Sequence, residues 1–183
     1  GIPSDNYLHK FSKTPNDFND LLGYLNNGYT CYPAGEIWAY SNLGYALLGV
    51  VIERVSGMKY EEYITSNILE PLGMNSSGFY SDYERQKHLS AAFDAGGVPK
   101  TELPIYDKPA GSIYSTANDM IRFGRSFIDR KEVLLKTETI ELMYELQNAD
   151  NLLDLDHLSA ICFNYKNKAR ELGRLLEHGG ATM

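Results

Sequence analysis

Residues 33–45 read PAGEIWAYSNLGY, and this stretch decides how the rest of the chain is interpreted. Its proline and glycines favour a loop, and Ser41 or Asn42 favours the start of a helix, because either side chain can accept a hydrogen bond from the first helical turn. Tyr40 and Asn42 are two residues apart, so in an extended segment a phenol and an amide project to the same side. The stretch therefore predicts a loop that points both groups into one cleft. The alternative is that Tyr40 is a core aromatic and Asn42 only caps the helix.

The helix behind this loop is predicted to run from Ser41 or Asn42 to about Val55. Gly57 then lies just past the helix end, where a left-handed backbone is common. The segment holds only two charged residues, both near its end. We therefore expect this helix to be buried on nearly all sides.

Hydrophobic period, caps and helix breakers predict the other elements. Thr116 and Asp119 are typical of a capping box, with which a helix begins. The fold class is α+β and predominantly helical. The predicted helices lie at about residues 15–26, 60–69, 117–130 and 137–147, with a hairpin between residues 88 and 105 and strands at 159–165 and 173–177.

Composition excludes several classes of protein. The chain has 183 residues, a formal net charge of -7, 43% hydrophobic residues and 22% charged residues. These values are typical of one folded domain with a core, and not of a disordered segment. An acidic balance argues against a nucleic-acid partner. The longest apolar run, residues 43–52, is too short for a transmembrane segment.

No metal or cofactor is predicted. Cys31 and Cys162 are too few for a disulfide scaffold, and no zinc spacing, dinucleotide-binding motif or phosphate-binding motif occurs. One S-x-x-K match, from Ser56 to Lys59, falls where the second helix ends, so we interpret it as a chance match. A chain that functions alone through Ser56 is the remaining alternative.

A second candidate for chemistry is His178-Gly179-Gly180, which follows the last predicted strand. Glycine after a strand lets a ligand approach the backbone closely. His178 can supply a cation or a proton at the strand edge. The alternative is a strand-terminal turn with an incidental histidine.

Taken in order, five stretches resemble the serine β-lactamase-related family, which includes class C β-lactamases, low-molecular-weight penicillin-binding proteins (DD-peptidases) and β-lactamase-fold esterases. The stretches are GIPS at 1–4, PAGExxxYSNxGY at 33–45, EPLGM at 70–74, GxxYSTAxDM at 111–120 and HGG at 178–180. The resemblance implies a β-lactamase/transpeptidase-like fold. It also implies a single fragment, with a mainly helical lobe over residues 1–150 and a sheet hairpin over 159–183 that ends in the HGG motif.

The resemblance also implies roles for individual residues. The family has three catalytic motifs, S-x-x-K, Y-x-N and K-T-G or H-x-G, and residues 40–42 and 178–180 match the second and third. By this likeness Tyr40 and His178 are catalytic: Tyr40 moves protons for the nucleophile and leaving group, and His178 polarises the site. Asn42, Gly180 and Ala181 bind substrate, with the Ala181 N–H as one of two oxyanion donors.

The first motif, with the serine nucleophile, is missing from these residues. The chain starts without Met and stops just after the third motif, so we expect an internal fragment that is inactive alone and that self-associates through truncated edges. The parent is expected to be a serine hydrolase located outside the cytoplasm, with a β-lactam, a D-Ala-D-Ala-type peptide or an ester as substrate. Histidine in the third motif favours a DD-peptidase or esterase over an efficient β-lactamase. The alternative is a non-catalytic binding or sensor protein on the same fold.

Overall fold

The computed structural model describes residues 1–2, 21–26, 30–79, 89–100, 108–154, 157–166 and 175–180. The helices are α1 (Leu21–Asn26), α2 (Asn42–Ser56), α3 (Tyr60–Ile64, continued by a π-helical turn at Thr65–Leu69), α4 (Lys108–Gly111), α5 (Ala117–Ile128) and α6 (Thr137–Tyr144), and a 3-10 turn covers Leu152–Asp154. The strands are β1 (Gly78–Phe79), β2 (Ala92–Phe93), β3 (Pro99–Lys100), β4 (Ile113–Tyr114), β5 (Asn164–Tyr165) and β6 (Leu176–Glu177).

Helix α2 has the predicted bounds, and both of its ends are set by local chemistry. Ser41 is extended, and its hydroxyl oxygen accepts a 3.0 Å hydrogen bond from the Gly44 N–H. Gly57 has a φ of 71° and donates its N–H to the Glu53 carbonyl oxygen. Residue 57 must adopt a left-handed backbone, which costs glycine little and other residues about 1–2 kcal/mol.

The hydrophobic core lies on one side of α2. Leu43, Ala46 and Val50 of this helix are buried with residues of α3, its π-helical continuation, the segment that follows it and β1: Tyr60, Ile64, Leu69, Met74 and Phe79. The ring of Phe79 meets that of Tyr60 edge to face, with centroids 5.8 Å apart. Burial of such aliphatic and aromatic groups is the main stabilising term in a fold of this kind.

The expectation that α2 is buried on nearly all sides is wrong. Leu48, Val51 and Val55 are 56%, 55% and 84% exposed. Helix α2 contacts α1, α3 and α4, and no element among the described residues covers the opposite face. The sequence could not distinguish these faces, because both are apolar.

The strands form three two-stranded antiparallel sheets: β1 with β4, β2 with β3 and β5 with β6. The predicted hairpin is β2–β3, whose turn is closed by N–H groups of Gly96 and Val98 that donate to the Asp94 carboxylate. The predicted C-terminal strand pair is also confirmed, in shorter form, with Tyr165 opposite Leu176. Its connecting turn, residues 167–174, lies outside the described residues, as do residues 15–20 of the first predicted helix.

Helix α6 is shorter than the predicted 137–147. It ends at Tyr144 because Glu145 is extended, with φ -68° and ψ 139°. Two residues later, the Gln147 N–H donates to the Ser159 carbonyl oxygen at 2.8 Å instead of continuing the helix. A long-range backbone hydrogen bond therefore replaces the helical hydrogen bond that Gln147 would make if the helix continued.

The capping box at the start of α5 is only half formed. Thr116 accepts a hydrogen bond from the Asp119 N–H at 3.3 Å, as predicted. The Asp119 carboxylate, however, turns to the Ser76 N–H and the Ser77 hydroxyl, each at 2.8 Å, and pairs with Arg122 at 2.7 Å. This 2% exposed carboxylate joins α5 to the segment before β1, so tertiary bonding has replaced the local bond.

Within the described segments, no helix has the length and apolarity required to cross a bilayer.

Candidate active site

Tyr40 and His178, predicted from opposite ends of the chain, lie together. Their ring centroids are 6.4 Å apart, and the ring planes are inclined by 42°. Both side chains are exposed. Tyr40 precedes the N-cap of α2, and His178 directly follows β6. The structure therefore brings the second and third motif stretches to one surface, where a phenol and an imidazole can act on the same ligand.

A contact between the C-terminal hairpin and α2 explains this juxtaposition. The Tyr45 hydroxyl donates a hydrogen bond to the Cys162 thiol sulfur at 3.3 Å. Cys162 lies two residues before β5, and β5 pairs with β6, which leads into His178. The hairpin is thus held beside the first turn of α2, close to Tyr40.

Tyr45 stays a proton donor in this contact. Partial burial raises the pKa of the Tyr45 phenol, and the hydrogen bond to Cys162 and the nearby Tyr40 raise it further. A phenolate here would lose its hydration and lie close to other groups that ionise to anions. The neutral Tyr45 therefore holds the hairpin beside the first turn of α2 through this hydrogen bond.

Two of the predicted substrate-binding residues are described, and each is two positions from one member of this pair in the sequence. Asn42 is the first residue of α2 and is half-buried. Gly180 is exposed and lies two residues after His178. Ala181, whose N–H was predicted to be an oxyanion donor, lies outside the described residues.

Ser56 and Lys59 do not form a nucleophile pair. The Ser56 hydroxyl donates to the Ile52 carbonyl oxygen at 2.7 Å and accepts from the Met58 N–H at 3.1 Å. Lys59 begins a different element, as the N-cap residue of α3. The hydroxyl proton is already used in closing α2, which supports the interpretation of this S-x-x-K as a chance match.

Sequence reasoning missed the residues that hold the loop before Tyr40. Trp38 is bound by Asp154 and stacks on His157, both more than a hundred positions away. His157 lies in a polar stretch, and no local pattern pairs it with Trp38. In the described part of the chain, no group of three or more His, Cys, Asp or Glu side chains could hold a metal ion.

Comparison with known proteins identifies the family. The family model described as Beta-lactamase matches residues 1–182. The chain belongs to the serine β-lactamase-related family. Over 112 residues, it is 34% identical to the protein PbpX of Bacillus subtilis (strain 168), an alignment that covers 59% of this chain and 28% of PbpX.

Solved structures of the β-lactamase family agree on the fold. The octameric penicillin-binding protein homologue from Pyrococcus abyssi matches with a TM-score of 0.67 and 27% identity, over 82% of this chain and 35% of that one. A class C β-lactamase in complex with cefoxitin matches with a TM-score of 0.68 and 17% identity, over 90% of this chain and 44% of that one. The chain thus has part of the β-lactamase/transpeptidase-like fold and spans less than half the length of these relatives.

Proposed function

We propose that this chain is the part of a serine acyl-enzyme hydrolase that carries its second and third catalytic motifs. The observation that carries the proposal is the 6.4 Å approach of the Tyr40 and His178 rings. The two residues match different motifs and are separated by most of the chain. Neither local sequence pattern requires the two side chains to lie close together. A shared active site does require it.

In this reaction a serine oxygen forms a bond to the substrate carbonyl carbon, and the bond from that carbon to the leaving group breaks. Water then attacks the acyl-enzyme, which releases the acid and restores the serine. Tyr40 takes the serine proton and delivers it to the leaving group. A phenol does so only when a neighbouring cation stabilises the phenolate, and His178 is the basic side chain that lies beside Tyr40. Asn42 binds the substrate amide, Gly180 binds substrate, and the Ala181 N–H is one of the two oxyanion donors.

The serine itself is proposed to come from an S-x-x-K segment of a longer protein. Ser56 does not fit this role, because its hydroxyl is bonded to the helix backbone. Without a nucleophile the chain alone is expected to be inactive, since its loss in a serine hydrolase costs about 10⁶ in rate. The exposed apolar face of α2, with Leu48, Val51 and Val55, is the surface through which the chain alone is expected to self-associate.

The substrates we propose for the whole protein are a D-Ala-D-Ala-type peptide or an ester, ahead of a β-lactam, because the third motif begins with His178. A location outside the cytoplasm suits such substrates. A non-catalytic sensor is the second candidate, and the exposed positions of Tyr40 and His178 are compatible with ligand binding alone.

A covalent-labelling experiment distinguishes these functions. The chain and the longer protein that contains it are incubated with a fluorescent penicillin and, separately, with a chromogenic ester, and adducts are counted by intact mass. We expect one adduct per molecule, or ester turnover, with the longer protein only. A stoichiometric adduct on the chain alone would contradict the expectation that the chain alone is inactive. Reversible binding by the longer protein, with neither adduct nor turnover, would favour the sensor function over the enzyme function.

A further inference from the structure

The loop before Tyr40 is tied to a distant segment through its backbone. The Trp38 N–H donates a 2.6 Å hydrogen bond to Oδ1 of Asp154, at the end of the 3-10 turn. Trp38 is two residues before Tyr40, so a fixed Trp38 amide limits where the Tyr40 backbone can lie. A bond to a carboxylate is stronger than one between neutral groups.

The Asp154 carboxylate is itself oriented by its neighbours. Its second oxygen, Oδ2, accepts from the Asn148 side-chain amide at 2.8 Å. The same amide nitrogen donates to the His157 carbonyl oxygen at 2.7 Å, and the Asn148 side-chain oxygen accepts from the Ser159 N–H at 2.8 Å. Hydrogen bonds from Asn148 and the Trp38 N–H, with the electrostatic effect of the nearby His157, outweigh burial and lower the pKa of the Asp154 carboxyl, so that it stays ionised at neutral pH.

A ring contact with His157 also restrains Trp38. The Trp38 and His157 ring centroids are 3.8 Å apart, with the planes inclined by 39°. Trp38 is therefore held through its backbone by Asp154 and through its side chain by His157. Both partners belong to one segment, in which Asn148 links Asp154 to the His157 backbone.

We propose that Asp154, Asn148 and His157 form a brace that positions Tyr40 relative to His178 by holding Trp38. None of the three touches the reacting groups, so they are positioning residues. The proposal rests on the proposed function in one respect: the brace matters for catalysis only if Tyr40 moves protons. The geometry it sets, however, is measurable in the chain alone.

The test compares two variants that each lose one carboxylate bonded to a backbone N–H. Asp154→Ala removes the bond to Trp38. Glu132→Ala is the matched control, because Glu132 accepts from the Thr137 N–H at 3.0 Å, at the start of α6. Asp154→Asn keeps an oxygen that can accept the Trp38 N–H, and serves as the conservative variant. Circular dichroism checks that all three are folded.

Two signals report on the brace without any activity. Trp38 is the only tryptophan in the chain, so its fluorescence reports the loop directly. The NMR shifts of the His178 ring protons, assigned through His178→Gln, report the distance to the Tyr40 ring. We expect Asp154→Ala to change both signals, Glu132→Ala to change neither, and Asp154→Asn to stay closer to the wild type than Asp154→Ala.

In the longer protein, Asp154→Ala is expected to lower the acylation rate at saturating substrate by about 10- to 100-fold, because small displacements of catalytic groups have effects of this size. KM should change little. Unchanged Trp38 fluorescence and His178 shifts in Asp154→Ala would overturn the brace, and so would an acylation rate equal to that of Glu132→Ala. If the wild type forms no acyl-enzyme, the proposed function fails, and the two spectroscopic signals still decide whether the brace holds Tyr40.

Discussion

Replacement of Ser41 by alanine should loosen the loop that carries Trp38 and Tyr40, at the point where it enters α2. The Ser41 hydroxyl accepts the Gly44 N–H at 3.0 Å, and Ser41 lies between Tyr40 and Asn42. Alanine leaves that N–H without its side-chain acceptor. The first turn of α2 then frays more easily, and both neighbouring side chains lose part of their support.

The size of the effect follows from the cap geometry. Loss of a serine N-cap costs about 1 kcal/mol in the free energy of unfolding, within a range of roughly 0.5–2 kcal/mol. For a domain of this size, 1 kcal/mol corresponds to a fall of about 2–4 °C in Tm. The core residues of α2 are unchanged, so the chain should still fold cooperatively, with Leu43, Ala46 and Val50 buried.

Thr116→Ala is the matched control, because Thr116 caps α5 through the Asp119 N–H at 3.3 Å. Thermal melts by circular dichroism should show a similar fall in Tm for both variants. Trp38 fluorescence should change in Ser41→Ala only, since Thr116 is not part of the loop. A Ser41→Ala variant that melts at the wild-type temperature, or an equal change of Trp38 fluorescence in both variants, would refute the stabilising role of the Ser41 cap.

Three further predictions concern stability. Gly57→Ala places a side chain at φ 71° and should cost about 1–2 kcal/mol in urea unfolding; a stabilised variant would contradict the left-handed end of α2. Phe79 is 4% exposed, and its ring packs against that of Tyr60. Phe79→Ala should therefore lower the free energy of unfolding by about 3–5 kcal/mol in the same assay. A loss under about 1 kcal/mol would mean that Phe79 is not in the core. Burial opposes ionisation of Asp119, but hydrogen bonds from Ser77, Ser76 and Arg122 outweigh it and hold the pKa below its ordinary value of 3.8. The folded state then binds fewer protons than the unfolded state, so the contribution of Asp119 is fully present well above pH 3.8 and is lost as pH falls through the folded pKa; a urea midpoint that rises on acidification below about pH 4 would contradict this sign.

Local chemistry accounts for what could be predicted from the sequence. The bounds of α2 follow from Ser41 at one end and Gly57 at the other, and the β2–β3 turn follows from its glycines. Such signals act within a few residues, so they are visible in one sequence. The likeness of residues 40–42 and 178–180 to two motifs of one family predicted that Tyr40 and His178 belong to one catalytic site, which neither stretch shows by itself.

Non-local contacts account for what could not be predicted. The Tyr45–Cys162 hydrogen bond and the Trp38–Asp154 bond join positions more than a hundred residues apart. Asp119 was predicted to bond to the cap of its own helix, and its carboxylate bonds instead to Ser77 in the segment before β1. The exposed face of α2 was missed for a related reason: an apolar pattern predicts which residues avoid water, but not whether a partner covers them.

Proton transfer by Tyr40, opposite His178, is the central step of the proposed reaction. The most direct test measures the acylation rate of the longer protein for Tyr40→Phe, with Tyr63→Phe as the control, because Tyr63 lies on α3 and packs against the core. We predict that Tyr40→Phe slows acylation by about 10²- to 10⁴-fold, while Tyr63→Phe acylates like the wild type. Acylation of Tyr40→Phe at the wild-type rate would contradict the assignment of the active site.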